Sequence, residues 1–518
     1  MNMLKPLPVG IQTFRKIVEQ GYLYVDKTEG IYRLVTGGEV YFLARPRRFG
    51  KSLLISILGE VFEGNRELFE GLWIYDSDYR WEKHPVVRID FSLFRVERAE
   101  ELETAIQEYL REIALDHGVT LRAGGYQQRF WNLIKGLAAR NKVVVLVDEY
   151  DKPIIDNVGN VEEARRIRDV LRGFYTVIKG MDEYLRFVLL TGVSKFSKVG
   201  VFSGLNNLED ITMSPGSSSV LGITEDELRT CFEDYIEDFA RNEGLSEKEL
   251  LQRIRHWYDG FCFSANCQSV YNPFSILLLF KQRRFANYWF ETGTPTFLIR
   301  LIREQNYDVR ELENLRVNEL SFSSYEIEDL SVLPLLFQTG YLTIKGYDPR
   351  RRLYELYYPN LEVEDSFLKC LMDEFSSVRK EVADSYLWRL VDALGEKDFD
   401  TFFEVLQVFF ATIPYDIQIE RERYYQTVFY LIFKLMGLQV TAEARTSRGR
   451  IDAVVELDEG IFVFEFKLDG RAEAALAQIK ERGYDEQYRL QGKDVYLIGV
   501  GFGIAKRGMV DWKVEKGA

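Results

Sequence analysis

The stretch RPRRFGKSLL, residues 45–54, contains the Gly-Lys-Ser that ends a phosphate-binding loop. The usual pattern of such a loop is G-x-x-x-x-G-K-[ST], in which a glycine also opens the loop. The opening position is Arg45 here, and three arginines and a proline occupy a span where small residues are expected. Two interpretations follow: a nucleotide site with an altered loop, or an ordinary polar helix start.

The residues on either side of this loop favour the nucleotide site. Residues 39–44, EVYFLA, form an apolar run typical of a buried strand, and the residues after the loop place their apolar side chains on one helix face. A loop between a strand and a helix directs backbone amides at a phosphate. Lys51 is expected to reach the β- and γ-phosphates of ATP, and the Ser52 hydroxyl to hold Mg²⁺. The predicted nucleotide contacts are Arg48, Phe49, Gly50, Lys51, Ser52 and Leu53.

A second motif, KVVVLVDEYDKP at residues 142–153, begins with an apolar run that predicts a central parallel strand. It ends in Asp148, a candidate Mg²⁺ ligand, and Glu149, a candidate base for the attacking water. The run at residues 184–192 predicts a third strand, whose Thr191 is a candidate sensor of the γ-phosphate. Ligands of open α/β sheets bind at the carboxyl ends of the strands. Alone, the acidic pair is also compatible with a strand ending in solvent, but the two motifs together favour ATP and Mg²⁺.

These motifs resemble the prokaryotic AAA-ATPase-like family, in which a loop without its first glycine is the usual form. The resemblance implies a P-loop domain of three α/β/α layers and the additional-strand type. Arg45, Arg47 and Arg48 are expected to add charge near the phosphates, to face a neighbouring subunit, or to lie on a solvated loop. The matching segments are YLYVDKT (22–28), RPRRFGKSLL (45–54), VVLVDEYDKP (144–153) and TGVSKFSKVGVFSGLNNL (191–208).

The middle of the chain carries helical and aromatic patterns. Residues 224–250 predict one amphipathic helix, opened by a capping box of Thr224 and Glu227. Residues 333–359 predict a helix and a hairpin, similar to a winged-helix module, and the family resemblance implies a lid on the ATPase domain. The arginines at 350–352 are either a DNA contact or an exposed hairpin tip, and charge runs are usually exposed.

A second constellation lies in GRIDAVVELDEGIFVFEFKLDG, residues 449–470, which predicts two strands joined by a turn at 458–460. Side-chain alternation places Glu465 and Lys467 on one face, and strand pairing can bring Asp452 beside Glu465. The two carboxylates are hard oxygen ligands for Mg²⁺ or Mn²⁺. Lys467 can orient a water molecule or stabilise charge that develops on a phosphate.

The spacing from Asp452 to Glu465-x-Lys467 resembles the PD-(D/E)XK nuclease superfamily, and the resemblance covers about residues 380–518. That superfamily often has an acidic residue in the helix before the hairpin, and Glu422 is the best match. The resemblance therefore implies catalytic roles for these four residues and a restriction-endonuclease-like α/β fold. The alternative for Glu465 and Lys467 is an exposed cross-strand pair.

Composition limits the partners. The net charge of −14 argues against a protein that coats nucleic acid broadly, because such binding depends on cations that neutralise phosphates. No apolar run approaches the roughly 18 residues of a membrane span, and the first ten residues lack a secretion-signal pattern. We therefore expect a cytoplasmic protein with no membrane partner. The predicted domains are an ATPase-like domain at 1–210, a helical or winged-helix-like lid at 211–365, and a nuclease-like domain at 366–518.

Three functional hypotheses follow. The leading one is an ATP-hydrolysing protein coupled to a metal-dependent nuclease that cuts nucleic acid, expected to be DNA, in defence or mobile-element processing. The second is a nucleotide-dependent switch whose C-terminal domain binds a nucleic acid or protein without cutting, which fits the acidic charge slightly better. The third is a homo-oligomeric remodelling ATPase that uses Arg45, Arg47 or Arg48 in a neighbouring subunit.

Overall fold

The computed structural model describes most of the chain, which divides into two compact units. One unit contains residues 1–293 and 314–363, and the other contains residues 294–313 and 364–518. This division keeps much of the predicted lid with the ATPase-like residues, and the three-domain boundaries remain a prediction. The structure describes residues 4–517 apart from 196–200, 203–204, 206, 267, 290–295, 306, 324–329, 377–379, 413–421, 436–438, 441–452, 458–459, 469–470, 489–491 and 504–507.

A parallel five-stranded sheet forms the centre of the first unit. Its strands are β1 Val40–Ala44, β2 Val86–Asp90, β3 Val143–Asp148, β4 Leu185–Gly192 and β5 Glu209–Asp210. They are arranged in the order β2-β3-β4-β1-β5, and each neighbouring pair is parallel. Of the four longer strands, β1, β3 and β4 are those predicted from apolar runs. Because β4 stands between β1 and β3, the sheet has the additional strand that the family resemblance implies.

Helices cover both faces of this sheet because its strands are apolar on both sides. Leu43 of β1 packs with Leu58 and Phe62 in one core layer, whereas the Phe42 ring lies 5.4 Å from the ring of Tyr150 in the other. The buried β1 and β3 therefore place the ends of both motifs at one edge of the sheet. The helices of this part are α1 Phe14–Glu19, α2 Thr28–Gly37, α3 Lys51–Phe62, α4 Ala99–Asp116, α5 Tyr126–Ala138, α6 Lys152–Ile155 and α7 Val161–Gly180.

The rest of the first unit combines helices with a small antiparallel sheet. The predicted helix and hairpin after residue 332 are confirmed, and the arginines at 350–352 are exposed at the hairpin tip. The sheet has the order β6-β8-β7 and consists of β6 Leu315–Val317, β7 Thr343–Asp348 and β8 Leu353–Tyr357. The helices are α8 Glu225–Cys231, α9 Glu233–Glu243, α10 Glu247–Tyr258, α11 Pro273–Gln282 and α13 Val332–Gln338.

The prediction of one long helix after Thr224 was wrong. The capping box of Thr224 and Glu227 is present, but it opens only α8. Gly244 ends α9 in a left-handed conformation, with φ of 68°. A second capping box, Ser246 with Glu249, then starts α10. The apolar residues keep a helical spacing across these breaks, so the segment was interpreted as one helix although it contains the Ser-x-x-Glu pattern of a second helix start.

The second unit is built on a mixed sheet of the order β13-β12-β11-β10-β9. Its predicted hairpin and the helix before the hairpin are confirmed. β11 pairs in parallel with β12 and antiparallel with β10. No described helix is long and apolar enough to cross a membrane. The elements are α12 Thr296–Glu304, α14 Leu361–Ser376 (which enters from the first unit), α15 Lys380–Gly395, α16 Phe399–Thr412, α17 Glu422–Leu435, α18 Ala472–Arg482, β9 Gln439–Val440, β10 Ala453–Leu457, β11 Gly460–Leu468, β12 Val495–Gly503 and β13 Gly508–Lys516.

Candidate functional site

The loop between β1 and α3 lies at the carboxyl edge of the first sheet. Gly50 precedes α3 with φ of 92°, a conformation that glycine adopts without steric cost. Lys51 begins the helix and is only 6% exposed, and its Nζ donates to the carbonyl oxygens of Arg45 at 2.9 Å and Pro46 at 3.0 Å. Burial lowers the pKa of Lys51, and the charge of Asp148 opposes that shift. The ammonium thus rests on loop carbonyls that a phosphate can replace.

The two predicted acidic residues follow one another at the end of β3. Asp148 is 4% exposed, and its Oδ1 accepts hydrogen bonds from Thr191 Oγ1 at 2.6 Å and from the Glu149 amide at 3.1 Å. Glu149 has φ of 49°, which is uncommon for a residue with a side chain. Burial raises the pKa of Glu149, while the charge of Lys51 opposes the rise. The structure therefore brings Lys51, Asp148 and Glu149 into one electrostatic cluster.

A cavity of about 420 Å³ opens over this loop within the first unit. Its lining combines polar and charged residues that suit a polyphosphate with apolar residues that suit a nucleobase. The polar and charged residues are Gln12, Arg47, Arg48, Lys51, Ser52, Glu149 and Lys152. The apolar residues are Pro8, Ile11, Ile17, Leu53, Pro273, Phe274 and Leu277.

Thr191 has a different immediate partner from the one predicted for it. It is fully buried, and its hydroxyl donates to Asp148 rather than facing the cavity floor. The hydroxyl also lies 3.3 Å from the Val147 carbonyl oxygen. This contact fixes the rotamer of the Asp148 carboxylate, so any effect of Thr191 on the nucleotide is expected to pass through Asp148.

Two residues of the loop are not at the cavity surface. Arg45 is 1% exposed and donates to backbone carbonyls, so the expectation that it lies on a solvated loop or faces a neighbouring subunit was wrong. The expectation that it adds charge near the phosphates stays a prediction. Phe49 is 1% exposed, with its ring 4.9 Å from that of Phe261. Arg47 and Arg48 line the cavity and keep the charge-adding interpretation.

Asp151 was not singled out from the sequence. It is 1% exposed, and its Oδ2 accepts hydrogen bonds from the amides of Val193 at 3.0 Å and Ser194 at 2.7 Å, and from Ser194 Oγ at 2.6 Å. Burial raises the pKa of Asp151, and the Ser194 hydrogen bonds oppose the rise. Asp151 therefore ties the end of β3 to the segment after β4. Its place as the third acidic residue of the DEYD sequence could have marked Asp151 as a further residue of this site.

We expect Thr191→Val to lower the ATPase rate at limiting Mg²⁺ by about 10- to 100-fold, because a hydroxyl that donates to a metal-binding carboxylate holds that carboxylate in the orientation that binds the metal. The substitution keeps the shape of the side chain but removes the hydroxyl from Asp148. ATP hydrolysis measured across a Mg²⁺ titration tests this expectation. Thr176→Val is the control, since that hydroxyl donates to the Arg172 carbonyl on an exposed helix face. Equal rates in both variants would contradict the role.

In the second unit, β11 presents two chemically different faces. Glu465 is 2% exposed, and its Oε1 lies 3.6 Å from Lys467 Nζ on the same face. Phe464 and Phe466 point to the other face, where their rings lie 5.1 Å and 4.6 Å from that of Phe429. This is the alternation expected from the sequence. The burial of Glu465 differs from an exposed cross-strand pair, which was the alternative.

Helix α18 covers the face that carries Glu465. Gln478 on this helix donates a hydrogen bond to Glu465 Oε1. In the parallel ladder, Glu465 is paired with Gly499 and Lys467 with Gly501, so neither neighbour adds a side chain beside them. A Cβ atom at Gly499 would lie 2.3 Å from the Ala472 carbonyl oxygen, which shows how closely the start of α18 approaches β12.

We expect Gly499→Ala to lower the free energy of unfolding of the second unit by about 1–3 kcal/mol, because the added methyl group overlaps the backbone of α18. The displaced helix would also withdraw Gln478 from Glu465. Thermal unfolding followed by circular dichroism measures the loss. Gly395→Ala is the matched control, because a Cβ atom there would meet nothing within 4 Å. An unchanged melting temperature for Gly499→Ala would show that α18 tolerates the shift.

The two other predicted residues of this site are Asp452 and Glu422. Asp452 lies outside the described residues, and the last described pair of the hairpin on that side is Ala453 with Phe464. Glu422 begins α17, but its side chain is outside the description. Within the described ranges, no group of three or more His, Cys, Asp or Glu residues could hold a metal ion. The metal ligand set at Asp452 and Glu465 therefore remains a prediction.

Comparisons with known proteins find a family domain in each of the two regions that contain these residues. Residues 8–202 match the AAA-ATPase-like family, described as predicted AAA-ATPase, and residues 420–512 match the PD-(D/E)XK nuclease superfamily. The uncharacterized protein in the vnfD 5′ region of Azotobacter chroococcum mcd 1 is 43% identical over an alignment of 535 positions, which covers 99% of this chain and 99% of that one. The Walker-type ATPase PABY2304 of Pyrococcus abyssi is 14% identical with a TM-score of 0.35, over 70% of this chain and 97% of that one. The chain thus belongs to the same family as the Azotobacter protein, with a predicted AAA-ATPase family domain and a PD-(D/E)XK nuclease superfamily domain.

Proposed function

We propose that this protein binds and hydrolyses ATP, and that ATP regulates a metal-dependent PD-(D/E)XK nuclease that cuts DNA. The observation that carries the proposal is the grouping of Lys51, Asp148 and Glu149 at the carboxyl edge of one parallel sheet, beside a cavity of about 420 Å³. A cation, a buried carboxylate and a second carboxylate are the groups that phosphoryl transfer to water requires.

Each of these residues has a distinct role in the proposed hydrolysis. Lys51 leaves the two loop carbonyls and binds the β- and γ-phosphates. Asp148 and the Ser52 hydroxyl supply hard oxygen ligands that fit Mg²⁺, whose charge neutralises the phosphates when it is bound. Glu149, with its pKa raised by burial, orients the attacking water and accepts its proton.

The apolar residues of the cavity support a nucleotide rather than a free polyphosphate. Leu53, Pro273 and Leu277 are apolar residues of the cavity lining, and they offer a dry surface for a base. The Arg48 guanidinium lies over the Phe274 ring at 4.8 Å, so a charged and an apolar residue of the lining are in direct contact. We assign the phosphates to the charged residues of the lining and the base to the apolar ones.

The nuclease part of the proposal depends on β11 and its partners. Glu465 and the predicted ligand Asp452 would hold Mg²⁺ or Mn²⁺, and such an ion supplies Lewis-acid activation of a phosphodiester. Lys467 stabilises the charge that develops on the phosphate, and Glu422 is the proposed further acidic residue. Gln478 keeps Glu465 oriented through its hydrogen bond.

A second candidate function is a nucleotide-dependent switch that binds DNA or a protein without cutting it. The net charge of −14 favours this candidate, because it disfavours extended contact with a polyanion. A cleavage assay separates the two. Purified protein is mixed with plasmid and single-stranded DNA in Mg²⁺ or Mn²⁺, with and without ATP, beside Asp452→Ala. Cleavage by the wild type alone supports the nuclease, whereas ATP hydrolysis without any cleavage supports the switch.

A further inference from the structure

The loop residues that replace the small residues of other phosphate loops are all held by distant parts of the first unit. Between β1 and Gly50, each residue from Arg45 to Phe49 contacts a residue beyond position 211. Arg45 donates a hydrogen bond to Thr212, and the Arg47 carbonyl oxygen accepts one from Trp289. The Pro46 side chain lies close to the backbone of Gly340. Arg48 makes a cation–π contact with Phe274, and the Phe49 ring contacts the ring of Phe261.

Arg45 is the most firmly held of these residues. Its Nη1 donates to the Thr212 carbonyl oxygen at 2.7 Å, and its Nη2 donates to that of Ser217 at 3.0 Å. The guanidinium lies 4.2 Å from the centre of the Phe263 ring, and the Arg45 amide donates to the Gly192 carbonyl oxygen at 3.1 Å. Burial lowers the pKa of Arg45 to about 9, so the side chain keeps its charge at neutral pH.

The carbonyl group of Arg45 has a second function, because it is one of the two acceptors of Lys51 Nζ. The residue that is clamped through its side chain is therefore also the residue on which the phosphate-binding lysine rests. When glycine opens such a loop, its backbone can adopt the tight turn without steric cost, whereas this loop has a large side chain at that position. Here, other contacts must hold the start of the loop in place.

We propose that Arg45 is a positioning residue that takes over the task of the missing first glycine. Its guanidinium anchors the loop start to the Thr212–Ser217 segment and to the Phe263 ring, and this anchor holds the loop backbone and Lys51 in the form that accepts a phosphate. The inference rests on the ATP binding proposed above. It explains why an arginine can occupy a position where other loops have no side chain.

The test compares Arg45→Met with Arg186→Met in the full chain. Arg186 is a matched control, because it also donates to a carbonyl oxygen, that of Val35 at 3.0 Å, and lies over a ring, that of Phe62 at 5.7 Å. It stands at the amino end of β4, away from the loop. Melting temperatures and Kd values for a fluorescent ATP analogue are measured for both variants. We expect Arg45→Met to raise the Kd at least about tenfold, and Arg186→Met to change it less than about twofold at a similar loss of melting temperature.

Phe263→Leu is the second variant, since it removes the ring below the guanidinium and keeps a buried apolar side chain. Phe263→Leu should raise the Kd for the ATP analogue about threefold. It tests the positioning role of Arg45 if Arg45→Met does not fold. A folded Arg45→Met with a wild-type Kd, or an equal effect of Arg186→Met, would overturn the positioning role and leave the proposed ATPase intact. If Arg45→Met does not fold, a wild-type Kd for Phe263→Leu would do the same. Failure of the wild type to bind the analogue would overturn both.

Discussion

Glu149→Gln should abolish ATP turnover while it preserves ATP binding. The amide has the same shape as the carboxylate but cannot accept the proton of the attacking water, so we expect the single-turnover rate to fall by at least about 100-fold. The Kd for ATP should stay within about threefold of wild type, because Lys51 and the loop are unchanged. The backbone strain at φ of 49° is the same in both residues, which makes the comparison one of chemistry.

Lys51→Ala should differ from Glu149→Gln in its effect on ATP binding in the same assays. It removes the ammonium group that is expected to leave the loop carbonyls and bind the phosphates, so we expect both ATP binding and ATP turnover to be lost.

Glu108→Gln is the control for Glu149→Gln. It also removes one negative charge in the same unit, but Glu108 is exposed on α4. If Glu149→Gln hydrolysed ATP as fast as wild type, the attacking water would have to be activated by another group, and the assignment of Glu149 would be wrong.

The sequence predicted the parts of both sites that depend on short-range patterns. The strands that end in Asp148 and Thr191 are buried on both faces, so their apolar runs were long enough to identify. The alternation of Glu465 and Lys467 followed from the two-residue period of a strand. These features could be predicted from neighbouring residues in the sequence, together with the rule that ligands of open α/β sheets bind at the carboxyl ends of the strands.

The features that were not predicted depend on contacts across long sequence separations. The partners of Arg45 lie 167 and 172 residues further along the chain, and those of Asp151 lie 42 and 43 residues away. A charged residue in a loop is usually exposed, so neither the RPRR run nor the DEYD sequence indicates that Arg45 and Asp151 are buried. Their burial follows from the packing of carbonyl groups and amides that only the folded chain brings together.

Lys467→Ala should reduce DNA cleavage by about 100- to 1000-fold in the presence of Mg²⁺, if the second unit is an active nuclease. Lys467 Nζ lies 3.6 Å from Glu465 Oε1, and in the proposed nuclease its charge would stabilise the negative charge that develops on the phosphate. Its loss removes that stabilisation without altering the core, because the side chain is partly exposed and Phe466 faces the opposite layer. Initial rates of plasmid nicking measure the effect.

Lys480→Ala is the matched control for this substitution. Lys480 is also a lysine of the second unit, but it pairs with Glu515 at the surface, and an exposed ion pair contributes little to stability or chemistry. ATP hydrolysis should be unchanged in both lysine variants, because Lys51, Asp148 and Glu149 belong to the other unit. Cleavage that survives both Lys467→Ala and Asp452→Ala would place the nuclease site elsewhere. Loss of cleavage in Lys467→Ala alone, with ATP turnover intact, would show that cutting and hydrolysis use separate residues and that any link between them is regulatory.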